Sequence, residues 1–314
     1  MNNDDEAALI TIAITCFNAQ DTIERSIRSA QALDWPKLEL VVVDDGSTDG
    51  SLALIQQMAA SDNRIRVVSH DVNLGTGATR TRQIREARGE FIAILDDDDV
   101  CRHSRLRDQV AALRRAEQQS GLPLIACYGS RHIIGKTRNP RGAAIASDGE
   151  VMHGEAVALA ILTGLRPPAG RMGRYGFCTL FARRSTFVAV GDFDPLLRRH
   201  EDTDWNIRLA LMGGGFIGTP EIVLDQYVTP TPDKNDKLVH DLGLALRKKH
   251  RAFLQSRGMY QLALAREKMN YFSIVGPKWR SRLAVLQAFV VAPHVILPEW
   301  LNAKKRQLKS RAEA

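Results

Sequence analysis

Four consecutive carboxylates, Asp96-Asp97-Asp98-Asp99, close an apolar run reading Phe91-Ile92-Ala93-Ile94-Leu95. Like charges crowded at a strand end are costly: two unit charges about 4 Å apart repel by roughly 4 kcal/mol at an effective dielectric near 20. Such a cluster is a place to hold a cation. Oxygen ligands alone suit a hard ion, Mg2+ or Mn2+, and Mg2+ usually shares its coordination with substrate phosphates and water. The bland alternative is a solvated acidic turn. A second acidic group, Glu201-Asp202-Thr203-Asp204, stands far along the chain. A positioned carboxylate there can act as a general base, worth on the order of 10²- to 10⁴-fold in rate. Its bland alternative is an acidic helix N-terminus stabilised by the helix dipole.

The elements that position these residues follow from hydrophobic periodicity. Leu9–Thr15, Leu38–Val43, Ile65–Val68, Phe91–Leu95 and Leu124–Tyr128 read as short buried strands. Between them, Asp21–Leu33, Asp49–Ala60, Gly77–Ala87 and Ser104–Gln118 have helical spacing, with Ser47-Thr48-Asp49 offering a cap for the second helix. Strand–helix alternation predicts an α/β fold with a mostly parallel central sheet flanked by helices. In such sheets ligands bind beyond the carboxyl ends of the strands. Thr15-Cys16-Phe17-Asn18, Asp44-Asp45-Gly46 and the aspartate tetrad all fall there. Residues 131–175 are rich in Gly, Arg and Pro and read as an insertion over the site, with a helical patch at Glu155–Leu165 and a breaker at Arg166-Pro167-Pro168. Phe177–Phe181 resumes a strand, and Ile217–Tyr227 holds one or two more. From Asp236 the pattern turns helical and basic: Leu238–Gln255, Tyr260–Phe272 and Arg280–Val291.

At 314 residues, 44% hydrophobic and 25% charged, the chain has the composition of an ordinary globular protein. Its net charge of +7 conceals an asymmetry: residues 1–100 carry 9 Lys+Arg against 18 Asp+Glu, and the remainder 34 against 18. That division argues against a general nucleic-acid coat. It suits a metal site facing a basic half that meets phosphates, an acidic acceptor or an anionic membrane. Cys16, Cys101, Cys127 and Cys178 form no CxxC pair, which disfavours a zinc knuckle or disulfide framework and fits reduced thiols in a cytoplasm. The start, MNNDDEAA, lacks the basic-then-apolar order of a signal peptide, and no run of about 18 uncharged apolar residues occurs.

Several pieces in order resemble the inverting family 2 glycosyltransferases with a GT-A fold. They are Ile12-Ala13-Ile14-Thr15-Cys16-Phe17-Asn18, Val41-Val42-Val43-Asp44-Asp45-Gly46-Ser47-Thr48-Asp49-Gly50, Asn73-Leu74-Gly75, Arg80, Ala87-Arg88-Gly89-Glu90 and Leu95-Asp96-Asp97-Asp98-Asp99. Gly191-Asp192-Phe193-Asp194 and Glu201-Asp202-Thr203-Asp204-Trp205 continue the match, which covers roughly residues 8–228. The resemblance implies a GT-A catalytic domain over 1–235, with a nucleotide-sugar half at 1–130 and an acceptor half at 131–235. A basic helical extension follows at 236–314.

The resemblance also implies roles. Asp45 would accept a hydrogen bond from a pyrimidine base such as uracil, while its neighbour in the Asp44-Asp45 pair caps the turn. Thr15, Phe17 and Asn18 would line the same pocket; a residue like Phe17 taken alone is more often core than ligand contact. Asp98 would hold the metal and bridge to the donor diphosphate. Asp96 or Asp97 would face the ribose or a metal-bound water, and the sequence does not separate the two. Asp99 would cap the helix near Ser104 or support the ligands. Arg80 would balance diphosphate charge, unless it is a solvated helical arginine. Asp202 would be the base that activates the acceptor hydroxyl, with Glu201 supporting it or touching the acceptor. Either Asp225 or His240 would complete the metal site, or the site has no third protein ligand.

The expected reaction is transfer of a sugar, from a nucleotide donor that is UDP-linked, to a saccharide or lipid-linked acceptor in surface polysaccharide or lipopolysaccharide synthesis. A polyprenyl-phosphate glycosyltransferase and a non-catalytic nucleotide-sugar-binding protein are the rivals. A nucleotidyltransferase would need a Gly-rich phosphate loop after the first strand, and Thr15-Cys16-Phe17-Asn18 is not one. In the tail, apolar Leu283–Leu297 lies beside the basic cluster Ala303–Arg311. That pairing fits peripheral contact with an anionic membrane or packing against protein.

Overall fold

The strand β1 (Ile10–Cys16) is buried along almost its whole length, and β2 (Leu38–Asp44) is buried throughout. Strands apolar on both faces belong in the middle of a parallel sheet covered by helices on each side. The computed structural model, which describes residues 8–135, 141–165, 173–228 and 235–298 together with Leu301, places them there. Along the chain follow α1 (Ile23–Gln31), α2 (Ser51–Ser61), β3 (Ile65–Ser69), α3 (Thr76–Glu86), β4 (Phe91–Leu95), β5 (Val100–Cys101) and α4 (Arg105–Ser120). Next come β6 (Ile125–Ile134), β7 (Arg141–Gly142), β8 (Met152–His153), α5 (Glu155–Thr163), β9 (Phe181–Arg183), α6 (Arg184–Val190), α7 (Glu201–Leu211) and β10 (Gly215–Tyr227). The helices α8 (Asp236–Lys249), α9 (Arg251–Ser256), α10 (Tyr260–Ile274) and α11 (Lys278–Val291) complete the described elements.

The sheet runs β3-β2-β1-β4-β9-β6-β10-β5. Its first four strands are parallel, with Cys16 opposite Asp44 and Ile14 opposite Leu95. This register brings the loops after β1, β2 and β4 to one edge. β9 is antiparallel to both β4 and β6, so the sheet as a whole is mixed. Two expectations change here. Phe177–Phe181 is not one strand: Phe177–Thr179 forms a 3-10 turn before the short β9. The turn is pinned from α4, where buried Arg105 donates to the carbonyls of Ile94 (2.7 Å) and Cys178 (3.2 Å), and Gln109 donates to that of Thr179 (2.7 Å). The segment 131–175 is also less loop-like than its composition, because β6 continues to Ile134 paired with β10. Arg166-Pro167-Pro168 and the Ala303–Arg311 cluster lie outside the described residues.

Two compact units result, one of Met1–Ala158 with Arg166–Thr231, the other of Leu159–Leu165 with Pro232–Ala314. In the first, the main core joins Ile10, Ile12, Ile14, Leu40, Val42, Phe91 and Leu95 to Ile23, Ile27, Leu106 and Val110 of the covering helices. A second aromatic group supports the start of α7: buried Trp205 packs against Phe177, Phe187 and Phe193, with ring centroids 5.1–6.4 Å apart. The other unit has a small core of Leu262, Ala265, Ala288, Ala292 and Ile296. No helix among the described residues is long and apolar enough to cross a membrane.

Candidate active site

The turn after β4 sends the carboxylates of Asp96, Asp97 and Asp99 to three different partners. The Phe17 N–H donates to Asp97 Oδ2 (3.0 Å), tying the loop after β1 to the tetrad. Arg80 on α3 reaches Asp96 Oδ1 at 3.5 Å. The turn's own carbonyls are held from α1: Ser26 Oγ donates to Asp96 O (2.9 Å) and Arg25 to Asp98 O (2.8 Å). The Arg25 guanidinium also lies 3.9 Å from the centre of the Tyr227 ring. Asp99 is fully buried and accepts from the Tyr227 N–H (3.0 Å). It therefore does not cap α4, whose first residue follows Ser104, a residue hydrogen-bonded to Asp108 instead. The reason is β5: pairing of Val100-Cys101 with Leu224-Asp225 carries Asp99 toward the end of β10 and away from the helix.

Crowding and burial give these carboxyls a high proton affinity. Burial raises Asp96 against the pull of Arg80, and burial reinforced by the neighbouring carboxylates pushes Asp97 up to about 7 and Asp99 up to about 8. Asp99 Oδ2 is buried and makes no hydrogen bond in the structure. Desolvated carboxylates that resist ionising are the sites a divalent cation relieves. An all-oxygen donor set of this kind fits Mg2+ or Mn2+. Among the described residues, Asp96, Asp99 and Cys178 offer ligand atoms within 4.8 Å of one another. Burial raises the Cys178 thiol well above its ordinary range, so it keeps its proton and is a poor ligand for a hard ion. Asp225, considered above as a further ligand, pairs with Arg102 (2.6 Å) and His132 (3.5 Å). His240 sits in the second unit, 3.1 Å from Glu267 and stacked on Tyr271.

Glu201 and Asp202 open α7, and His200 before them takes a left-handed backbone (φ 72°) that turns the chain into the helix. Arg80 links this end to the tetrad. It is buried, donates to Glu201 Oε1 at 2.7 Å and lies 4.5 Å from the centre of the Phe177 ring. The solvated-arginine alternative is thereby excluded. Burial still outweighs the pairing for Glu201, whose carboxyl is pushed up to about 7 while Arg80 pulls it down. Asp202 is only partly buried, accepts from the Thr203 N–H (2.6 Å), and its charge acts on Arg80, Asp96 and Glu201.

The loops after β1 and β2 form the other wall. Asp44 Oδ2 accepts from the Ser47 N–H (3.0 Å), a turn-capping role. Gly46 has φ 73°, and a Cβ there would stand 2.6 Å from the Val72 carbonyl carbon, so both conformation and space require glycine. Asp45 accepts from the N–H groups of Leu74 (3.0 Å) and Gly75 (2.8 Å) and is hydrogen-bonded to His70 Nδ1 (2.8 Å). Asn18 accepts from Thr48 N–H (2.8 Å) while its own N–H donates to Ser47 Oγ (2.9 Å). Phe17 is 42% exposed, so it is not a core residue, and Thr15 is half-buried behind it. His70, Arg25 and Tyr227 were not singled out from sequence. His70 directly follows the carboxyl end of β3, so the strand-end rule that found Asp45 reaches it too. Arg25 and Tyr227 carry no such signal.

Residues 11–183 match the family model described as Glycosyl transferase family 2. The chain belongs to that family. Its relatives include the succinoglycan biosynthesis protein ExoO of Rhizobium meliloti, 42% identical over 106 residues, which are 34% of this chain and 30% of ExoO. Another is WfaP of Escherichia coli, a UDP-Glc:alpha-D-GlcNAc-diphosphoundecaprenol beta-1,3-glucosyltransferase, 29% identical over 102 residues, which are 32% of this chain and 40% of WfaP. The chain thus matches less than half the length of either relative. Among solved structures, S. aureus TarS 1-349 in complex with UDP-GlcNAc aligns with a TM-score of 0.57 at 16% identity, over 94% of this chain and 92% of that one. The mannosyltransferase PcManGT from Pyrobaculum calidifontis, in complex with GDP-Man and Mn2+, aligns with a TM-score of 0.54 at 16% identity, over 93% and 83%. These likenesses establish the GT-A architecture of a family 2 glycosyltransferase.

Proposed function

We propose that the protein is an inverting, metal-dependent glycosyltransferase that moves a sugar from a UDP-linked donor to a hydroxyl of a saccharide or lipid-linked acceptor. The observation that carries this reading is the buried Arg80 bridge, which joins the tetrad at the strand ends to the Glu201-Asp202 pair. In this reading the cation site and the base are linked by one buried arginine. The catalytic domain of this reading is 1–235, with the donor held by 1–130 and the acceptor by 131–235.

Phe17 offers an exposed ring for the base, with Thr15 and Asn18 beside it. Asp45 Oδ2 has one internal donor and keeps a lone pair for a base N–H. Asp98, with Asp96 or Asp97 in support, would hold Mg2+ or Mn2+, which as a Lewis acid stabilises a leaving diphosphate. Arg80 offsets the carboxylate charge around that diphosphate and holds Glu201. Asp202 takes the acceptor proton as the hydroxyl attacks the anomeric carbon in line. The UDP-GlcNAc bound to TarS, the Mn2+ bound to PcManGT and the UDP-Glc and diphosphoundecaprenol in the name of WfaP all support donor, ion and acceptor class. An acceptor anchored in lipid also fits peripheral membrane contact through 236–314.

The test is transfer of label from UDP-sugars into undecaprenyl-diphosphate-linked saccharides. Asp202→Asn is expected to lose about 10²- to 10⁴-fold in kcat with donor affinity kept. Transfer at the wild-type rate would remove Asp202 from the base role.

A further inference from the structure

One helix of the second unit, α11, packs differently from an ordinary amphipathic helix. α11 buries Ala284 and Ala288, and Ala292 just beyond its end; Ala288 and Ala292 join the core of Leu262 and Ala265. Phe289 also packs against that core, but four other large apolar side chains point out: Trp279 is 59% exposed, Leu283 54%, Leu286 59% and Val290 74%. At about 100° per residue those four fall within roughly 60° of one another, opposite the three alanines. Burying the alanines and exposing these four large residues leaves an apolar stripe, which marks a surface that another phase or molecule covers. Arg282 flanks the stripe. Arg280 also stands beside it, its guanidinium 5.3 Å from the centre of the Trp279 ring and 5.8 Å from that of Phe272.

We propose that this face of α11 is a docking surface for an anionic lipid bilayer. Charge complementarity selects the bilayer over a second copy of the chain. α11 contains Lys278, Arg280 and Arg282 and no acidic residue, within a segment, 232–314, of 17 Lys+Arg against 6 Asp+Glu, so two copies of it brought together repel, whereas anionic headgroups attract it. The stripe is also narrow. One face of a 14-residue helix is small beside the roughly 800 Å2 per partner of a stable dimer interface. It suffices for shallow insertion of apolar side chains at a headgroup boundary, with arginines on the polar flanks and an amphipathic tryptophan between. The inference deepens the lipid-linked acceptor reading and rests on it only for the reason a bilayer is at hand.

The test is co-sedimentation of the full chain with vesicles of phosphatidylcholine plus phosphatidylglycerol, against vesicles of phosphatidylcholine alone. The protein is expected to sediment with the anionic vesicles. Leu283→Gln/Leu286→Gln and, separately, Trp279→Gln should weaken that partition, the double variant by about tenfold or more. Both leave the buried alanines untouched, and unchanged circular dichroism and Tm confirm the fold. Absence of sedimentation, equal binding to neutral vesicles, or binding indifferent to the variants would each overturn the proposal. So would a dimer in light scattering that the same variants dissociate. The readout needs neither donor nor transfer, so an inactive protein that still sediments would contradict the proposed activity while supporting this surface.

Discussion

Replacing Arg80 with methionine removes a buried cation that joins the two acidic groups, and its cost should depend on pH. Removing one partner of a buried ion pair typically costs about 3–5 kcal/mol, because the other charge is left uncompensated. Glu201 can escape part of that cost by keeping its proton, since its carboxyl is already pushed up to about 7 with Arg80 present. In the wild type the folded state therefore holds a proton that the unfolded chain releases between the ordinary carboxylate range and pH 7. Stability falls across that window and levels off above it. Without Arg80 the Glu201 carboxyl moves above 7, and the fall continues to higher pH. Asp96, 3.5 Å from the same guanidinium, acts in the same direction. Each unit by which the carboxyl rises adds about 1.4 kcal/mol to the penalty above neutrality. Urea unfolding should thus give a loss of about 2–3 kcal/mol at pH 6 and about 4 kcal/mol at pH 8.5. In an Arg80→Met/Glu201→Gln background most of the pH-dependent part should vanish. A penalty equal at both pH values, or one under about 1 kcal/mol, would refute the buried bridge.

Asp99, pushed up to about 8 by burial, should lower stability progressively as pH rises toward 8, because the folded state retains its proton there and the unfolded state does not. In chelator-treated protein, Asp99→Asn should therefore gain stability over wild type by up to about 1.4 kcal/mol per pH unit between pH 5 and 8, measured by urea titration. Phe17→Ala should leave stability within about 0.5 kcal/mol but weaken UDP binding about fivefold to tenfold, measured by calorimetry, because the ring is exposed and offers its face to a base.

Much of the first half was legible in the sequence, because the physics there is local. Strands apolar on both faces, helices of regular spacing and polar residues at strand ends specify a parallel sheet with its site at the carboxyl edge. Where tertiary contacts decide, the sequence was silent. Phe177–Phe181 has strand composition, but Arg105 and Gln109 of a distant helix draw its carbonyls into a turn. Leu238–Gln255 reads as one helix and breaks at His250 into α8 and α9. Arg80 looks like any helical arginine until α7 brings Glu201 to it across 121 residues. Asp99 is set apart from its three neighbours in the sequence, but that it turns from α4 toward the end of β10 depends on the pairing of β5 with β10. The exposure of Phe17 and the outward face of α11 are likewise invisible to composition, which registers apolar residues but not the side they face.

The central claim is that the tetrad is the metal-binding wall of a nucleotide-sugar site. Calorimetry of UDP binding with and without Mn2+, on wild type and Asp98→Ala, tests it most directly. Binding that requires Mn2+ in the wild type and is greatly weakened in Asp98→Ala is the expected result. UDP binding of equal strength with and without the ion, or an Asp98→Ala variant that binds like wild type, would contradict it.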